Sequence, residues 1–188
     1  MMKPNSLKMF IMLVAILAAT TLAAQTDTAF SPTIKHRRGS LGIGYGLCYA
    51  GLGFNGDYNI NDDIAVSGSI GTFGYVGGWE LGGKYYFGQF DSTLRPMLSA
   101  WYGVNAMIVA RPDNPGLPDV TEAHHGFCLG AGGQWMFSKS KRHGFDAGIL
   151  YILTTTQAKR IEELESQGYG TFSKGSRFLF SFGYRYAF

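Results

Sequence analysis

Asp57, Lys84, Asp146 and Arg185 are two acids and two bases set in apolar, glycine-rich stretches, where an ionised group needs a partner or water. Such a set supports two kinds of chemistry. It can line a path for ions, or it can neutralise itself as a closed, hydrogen-bonded brace. Glu80 and Arg177 are candidates for a second pair of opposite charge. Covalent catalysis would need a nucleophile, a base and an orienting acid. The candidates are His124 and His125, with Ser166, Ser173, Glu162 and Glu163 in a later connection, and no motif fixes their geometry. His36 and His143 stand among basic residues, and metal-ligand spacing is absent, so neither a metal nor a cofactor is expected.

The elements that must position these groups repeat with period two. From Ser40 onward, turn signals divide the chain into eight segments of about 9 to 15 residues, each alternating large apolar residues with small or polar ones. The predicted strands are 40–49, 51–60, 63–74, 77–87, 96–110, 123–137, 144–156 and 176–188, with one short helix at 159–166. One face carries Leu41, Ile43, Tyr45, Leu47 and Tyr49 on the first strand and Tyr102, Val104 and Ile108 on the fifth. On the last strand it carries Phe178, Phe180, Phe182, Tyr184, Tyr186 and Phe188. This face holds no charge in roughly forty positions, although 15% of the chain is charged and about six charges would fall there at random.

The opposite face carries Asn55, Asp57, Glu80, Lys84, Asn105, Gln134, Asp146, Arg177 and Arg185 among many glycines, with Phe73, Tyr86, Trp101 and Met107 as its bulk. A dry soluble core cannot hold those charges, whereas the lumen of a membrane barrel can. A strand of ten residues rising about 3.3 Å each and tilted near 45° covers about 23 Å, the height of the apolar band of such barrels. The expected fold is an all-β, eight-stranded antiparallel up-and-down transmembrane β-barrel.

Composition agrees. In 188 residues, 27 Gly and 15% aromatics exclude disorder, collagen and a multi-span helical protein. Lys3 and Lys8 precede an apolar run ending at Ala23-Ala24, the pattern of a secretory signal over residues 1–24, followed by a flank at 25–39 and the barrel at 40–188. Removing those two lysines takes the formal charge from +3 to +1, which speaks against a nucleic-acid partner. The turns at 61–62, 91–95 and 138–143 fall at the end holding both termini. The longest connections, 111–122 and 157–175, fall at the other end, where the connections near Ala50 and at 75–76 are tight. Cys48 and Cys128 face inward on strands one and six; these are not neighbours, so two buried thiols are expected rather than a bridge.

The stretch from Asp57 to Ile64 and the ending Gly183-Tyr184-Arg185-Tyr186-Ala187-Phe188 resemble the small eight-stranded outer-membrane barrels of the OmpA and OmpX type, a likeness spanning about Ser40 to Phe188. The resemblance implies a bacterial outer-membrane location, with the lipid bilayer and lipopolysaccharide as surroundings, and a monomer is expected. It also implies that Phe188, with Tyr186 and Tyr184 behind it, serves as the signal for the barrel assembly machinery. Members include anchors, adhesins, narrow channels and lipid A-modifying enzymes, so the scaffold does not choose among them. The expectation is a non-enzymatic protein anchoring the loops 111–122 and 157–175, with a narrow channel or a lipid A enzyme as alternatives.

Overall fold

The computed structural model describes residues 38–112, 116–137, 139–173 and 175–188; the expected signal segment at 1–24 and the flank up to residue 37 lie outside the described residues. The strands are β1 (Gly39–Gly46), β2 (Gly51–Asn59), β3 (Ile64–Thr72), β4 (Gly77–Tyr86), β5 (Leu94–Ala110), β6 (Val120–Met136), β7 (His143–Ile152) and β8 (Phe178–Ala187). One helix, α1 (Gln157–Ser166), lies between β7 and β8. All eight strands pair antiparallel in chain order, and β1 pairs with β8, giving a closed up-and-down barrel.

Alternation sets which side chains face out. Leu41, Ile43 and Tyr45 on β1, Leu52, Phe54 and Tyr58 on β2, and Phe178, Phe180 and Phe182 on β8 are all exposed on the outer wall. Neighbouring strands join them into ring contacts. Trp79 meets Tyr102 at 6.0 Å between centroids, Tyr102 meets Phe127 at 4.7 Å, and Phe145 stacks on Phe182 at 5.4 Å. Asp57, Lys84, Asp146 and Arg185 are buried inside.

Two departures from strict alternation correct the sequence expectation. The first strand ends at Gly46, not at Tyr49. Leu47–Tyr49 forms a single 3-10 turn and Ala50 takes a left-handed conformation, so Leu47 and Tyr49 are buried in the lumen rather than displayed on the wall. The glycines at either end, Gly46 (φ 107°) and Gly51 (φ 91°), hold backbone angles that a side chain would oppose, and they allow the chain to double back into the barrel. The second departure is a bulge between Val104 and Ala106, where one extra residue shifts the register of β5 against β6. Beyond it, Ile108 is buried although the alternation predicted it on the wall, and Val109 is exposed instead; Val104, just before the shift, is buried as well.

The barrel is uneven at the end opposite the termini. β4 pairs with β5 only as far as Gly103, and the β6–β7 register begins at Cys128, although Leu153, Thr154 and Thr156 still donate backbone hydrogen bonds to the Phe127 and His125 carbonyls; beyond these, residues 106–110 and 120–124 are paired as a two-stranded ribbon. At about 3.3 Å per residue, residues 104–110 of β5 run on for about 23 Å along the strand. This extension shortens the third far-end connection to 111–119. α1 packs against it, burying Leu164 with Ile108 and Ala110, and Val120, Ile161, Tyr169 and Phe172 close the sides.

Candidate functional site

The barrel wall brings Asp57 from β2, Lys84 from β4, Asp146 from β7 and Arg185 from β8 into one network. Lys84 Nζ lies 2.9 and 3.0 Å from the two oxygens of Asp57 and 3.8 Å from Asp146 Oδ2. The Arg185 guanidinium donates from Nε and Nη2 to Asp146 Oδ2, at 2.9 and 2.6 Å, and from Nη1 to Asp57 Oδ2. Its remaining reach goes to Ser40 Oγ at 2.7 Å and Asn55 Oδ1 at 2.6 Å. Ser67 Oγ donates to Asp57 Oδ1 at 2.6 Å. Two negative and two positive charges cancel, and the fork of Arg185 spans both acids. This is a self-satisfied ionic brace; each charge sits against an opposite one, so none is left to attract a mobile ion.

The infolded turn completes the brace from within. Tyr49 donates its phenolic hydrogen to Asp146 Oδ1. Its ring lies where other residues would put side chains: a Cβ on Gly183 would stand 2.3 Å from the ring, and one on Gly44 would stand 2.7 Å from it. The inward glycines are thus the slot for this turn. Above the brace, Leu47, Cys48 and Tyr49 pack with Trp101, Cys128, Leu150 and Ile152 into a buried apolar cluster across the lumen. Both cysteines are free. At the end holding the termini, the Arg95 guanidinium lies 4.6 Å from the Tyr86 ring centroid and 5.3 Å from that of Phe90 and donates to the Asp62 carbonyl.

Glu80 and Arg177 do not meet. Glu80 is buried and neither of its carboxylate oxygens has a hydrogen-bond partner, whereas Arg177 is exposed at the foot of β8, 3.4 Å from the Tyr151 hydroxyl. Arg177 precedes the first paired residue of β8, so alternation no longer governs where it points. The chain end is exposed on the wall at Tyr186 and Phe188, and Tyr184 contacts His143 through its hydroxyl.

The catalytic candidates remain apart. His124 Nδ1 is 3.1 Å from the Thr156 hydroxyl, and its Nε2 is 3.8 Å from Glu122, beyond hydrogen-bond reach. Glu122 is instead held by Arg160, which donates to its two oxygens at 2.9 and 2.7 Å and thereby keeps its carboxyl below the usual carboxylate range. His125 lies on the outer wall against Trp79, with ring centroids 5.6 Å apart. Ser166 donates to the Glu163 carbonyl, and Glu163 itself pairs with Arg160. Sequence reasoning missed Tyr49 and Arg160. A run of glycines at facing inward positions was the available signal for Tyr49; the i,i+3 spacing of Arg160 and Glu163 hinted at the other but not at Glu122.

No family model and no curated protein matches this sequence. Among solved structures, the chain is similar to the N-terminal β-barrel domain of Pseudomonas aeruginosa OprF, with 18% identity and a TM-score of 0.53 over 82% of this chain and all of that one. It also aligns with Neisserial surface protein A at 16% identity and a TM-score of 0.38, over 80% of this chain and 94% of the other. The OprF likeness shows a shared fold.

Proposed function

We propose that this chain is a non-enzymatic integral protein of the bacterial outer membrane, a closed barrel that anchors an ordered platform built from its two long loops. The observation that carries this reading is the inverted polarity of the cylinder: aromatic and aliphatic side chains cover the outside, and a fully paired ionic network lies inside. Water would penalise that wall, while hydrocarbon would not. The fold shared with the OprF domain supports the same location. The end with both termini then faces the periplasm, and the β5–β6 extension with α1 faces outwards among lipopolysaccharide. Phe188, Tyr186 and Tyr184 form the signal for the barrel assembly machinery, and the barrel functions as a monomer.

A platform is supported by the docking of loop four on the extension. Arg160 clamps Glu122, and the Tyr169 hydroxyl donates to the Pro118 carbonyl at 2.8 Å. Conduction is disfavoured because the turn at Leu47–Tyr49 and Trp101 fill the lumen. The test joins membrane fractionation with heat-dependent gel mobility and planar-bilayer recording. The expected result is outer-membrane recovery, a mobility shift on boiling and no stable unitary current. Recovery as a soluble protein refutes the location, steady currents replace the anchor with a channel, and a lipid A mass change that reverts on His124→Ala replaces it with an enzyme.

A further inference from the structure

Native interiors leave few polar groups unpaired, and an unpaired carboxylate is among the most costly. Among the described residues, four oxygens in the half of the lumen away from the termini lack any hydrogen-bond partner: both oxygens of Glu80, Ser69 Oγ and Asn105 Oδ1. Their residues are 1%, 5% and 4% exposed respectively. Register places Ser69 and Glu80 side by side, and Asn105 is the bulge residue two positions beyond Gly103. Ser69 on β3 pairs with Glu80 on β4, Glu80 pairs with Gly103 on β5, and Gly103 pairs with Gly126 on β6.

The two glycines make the room. A Cβ on Gly103 would stand 2.6 Å from Glu80 Oε2, and one on Gly126 would stand 2.7 Å from Asn105 Nδ2, so the carboxylate and the amide lean over adjacent bare positions. The amide is pinned in one sense: Nδ2 donates to the Thr154 carbonyl at 2.7 Å, leaving Oδ1 as an acceptor without a donor. The lumen's interior bases are engaged elsewhere, since Lys84 and Arg185 bind Asp57, Asp146 and Asn55. What remains is one carboxyl group with neutral oxygens, and the unpartnered indole N–H of Trp101 in the same lumen.

We propose that Glu80, Ser69 and Asn105 form a binding site for one small monovalent cation, an alkali-metal ion or ammonium, in the outer half of the lumen. Hard cations take oxygen ligands, and a single carboxylate balances a single charge, whereas calcium sites draw on several acidic groups. The site sits above the brace and beside the apolar cluster, and it uses no residue of either. It depends only on lumen residues, so its failure would leave the membrane reading untouched.

The experiment uses the full, folded barrel in detergent, unfolded by heat at fixed pH and ionic strength in sodium, potassium, rubidium, ammonium or N-methylglucamine chloride. The expected result is a saturable rise in midpoint of a few degrees with at least one small cation over the bulky one, absent in Glu80→Gln. Elemental analysis after desalting in rubidium provides a second measurement, independent of how well the variant folds: about one rubidium per wild-type barrel is expected. Equal midpoints in all five salts with no retained rubidium overturn the proposal. So does a protonated-carboxyl infrared band that Glu80→Gln abolishes, which would mean that a proton occupies the place of the cation.

Discussion

If the inward glycines exist to seat the Tyr49 ring, then filling the slot should be costly only while the ring is there. Gly183→Ala places a methyl 2.3 Å from the ring, more than 1 Å inside the ordinary contact distance of about 3.5 Å. The ring cannot slide freely, because its hydroxyl is bonded to Asp146, and Asp146 is held by Arg185. Overpacking of this kind costs about 1–3 kcal/mol. Weakening a hydrogen bond to a charged acceptor adds part of about 1.5–3 kcal/mol. A destabilisation of about 2–4 kcal/mol is therefore expected in the natural background. In a Tyr49→Ala background, the same methyl enters space that the ring has vacated, and Gly183→Ala should be neutral or should stabilise by up to about 1 kcal/mol through reduced backbone freedom. The assay is denaturant unfolding of the refolded barrel, followed by gel mobility and tryptophan fluorescence, for the four members of a double-mutant cycle. An equal cost of Gly183→Ala in both backgrounds would show that the β8 backbone, not the ring, demands the glycine, and would refute the slot.

Arg185→Ala strips the shared base from Asp57 and Asp146 and should destabilise the barrel by about 3–5 kcal/mol, seen as a lowered unfolding midpoint and poor refolding yield. Leu164→Ala removes the fully buried anchor of α1; amide exchange across 157–166 should accelerate while the midpoint of the barrel stays put. Glu122→Gln should make loop four a faster protease target without changing heat-dependent mobility. Because Arg160 lowers the Glu122 pKa in the folded state, the docking it supports is fully present above the unfolded value of about 4.3 and fades as pH falls through the folded value. Limited proteolysis should therefore be unchanged from pH 7 to 5 and rise in more acid solution.

Period-two alternation made the wall legible because each residue of a regular strand alternates faces with its neighbour. Asp57, Lys84, Asp146 and Arg185 were placed on one side by that alone, and their mutual reach followed from closure of the barrel. The same regularity misled at Leu47 and Tyr49, which continue the pattern of β1 perfectly well until Gly46 turns the chain inward. It misled again past Val104, where a bulge reverses the faces with no marker in residue type. The platform was only half visible. A helix near 159–166 could be read from apolar spacing, but its partner surface lies on β5 and β6, more than thirty residues upstream, and only the folded chain brings Arg160 to Glu122. Glu80 shows the limit most plainly: its inward face was legible, and its lack of a partner was not.

The position of Tyr49 also bears on how the cylinder closes. Its ring rests against Gly42 and Gly44 of the first strand and against Gly183 of the last, so one side chain straddles the seam where the two ends of the sheet are zipped together. The turn that carries it lies on the lumen side of both strands, against the seam itself. Tyr49 thus works as a clasp: it fastens strands about 140 residues apart in sequence.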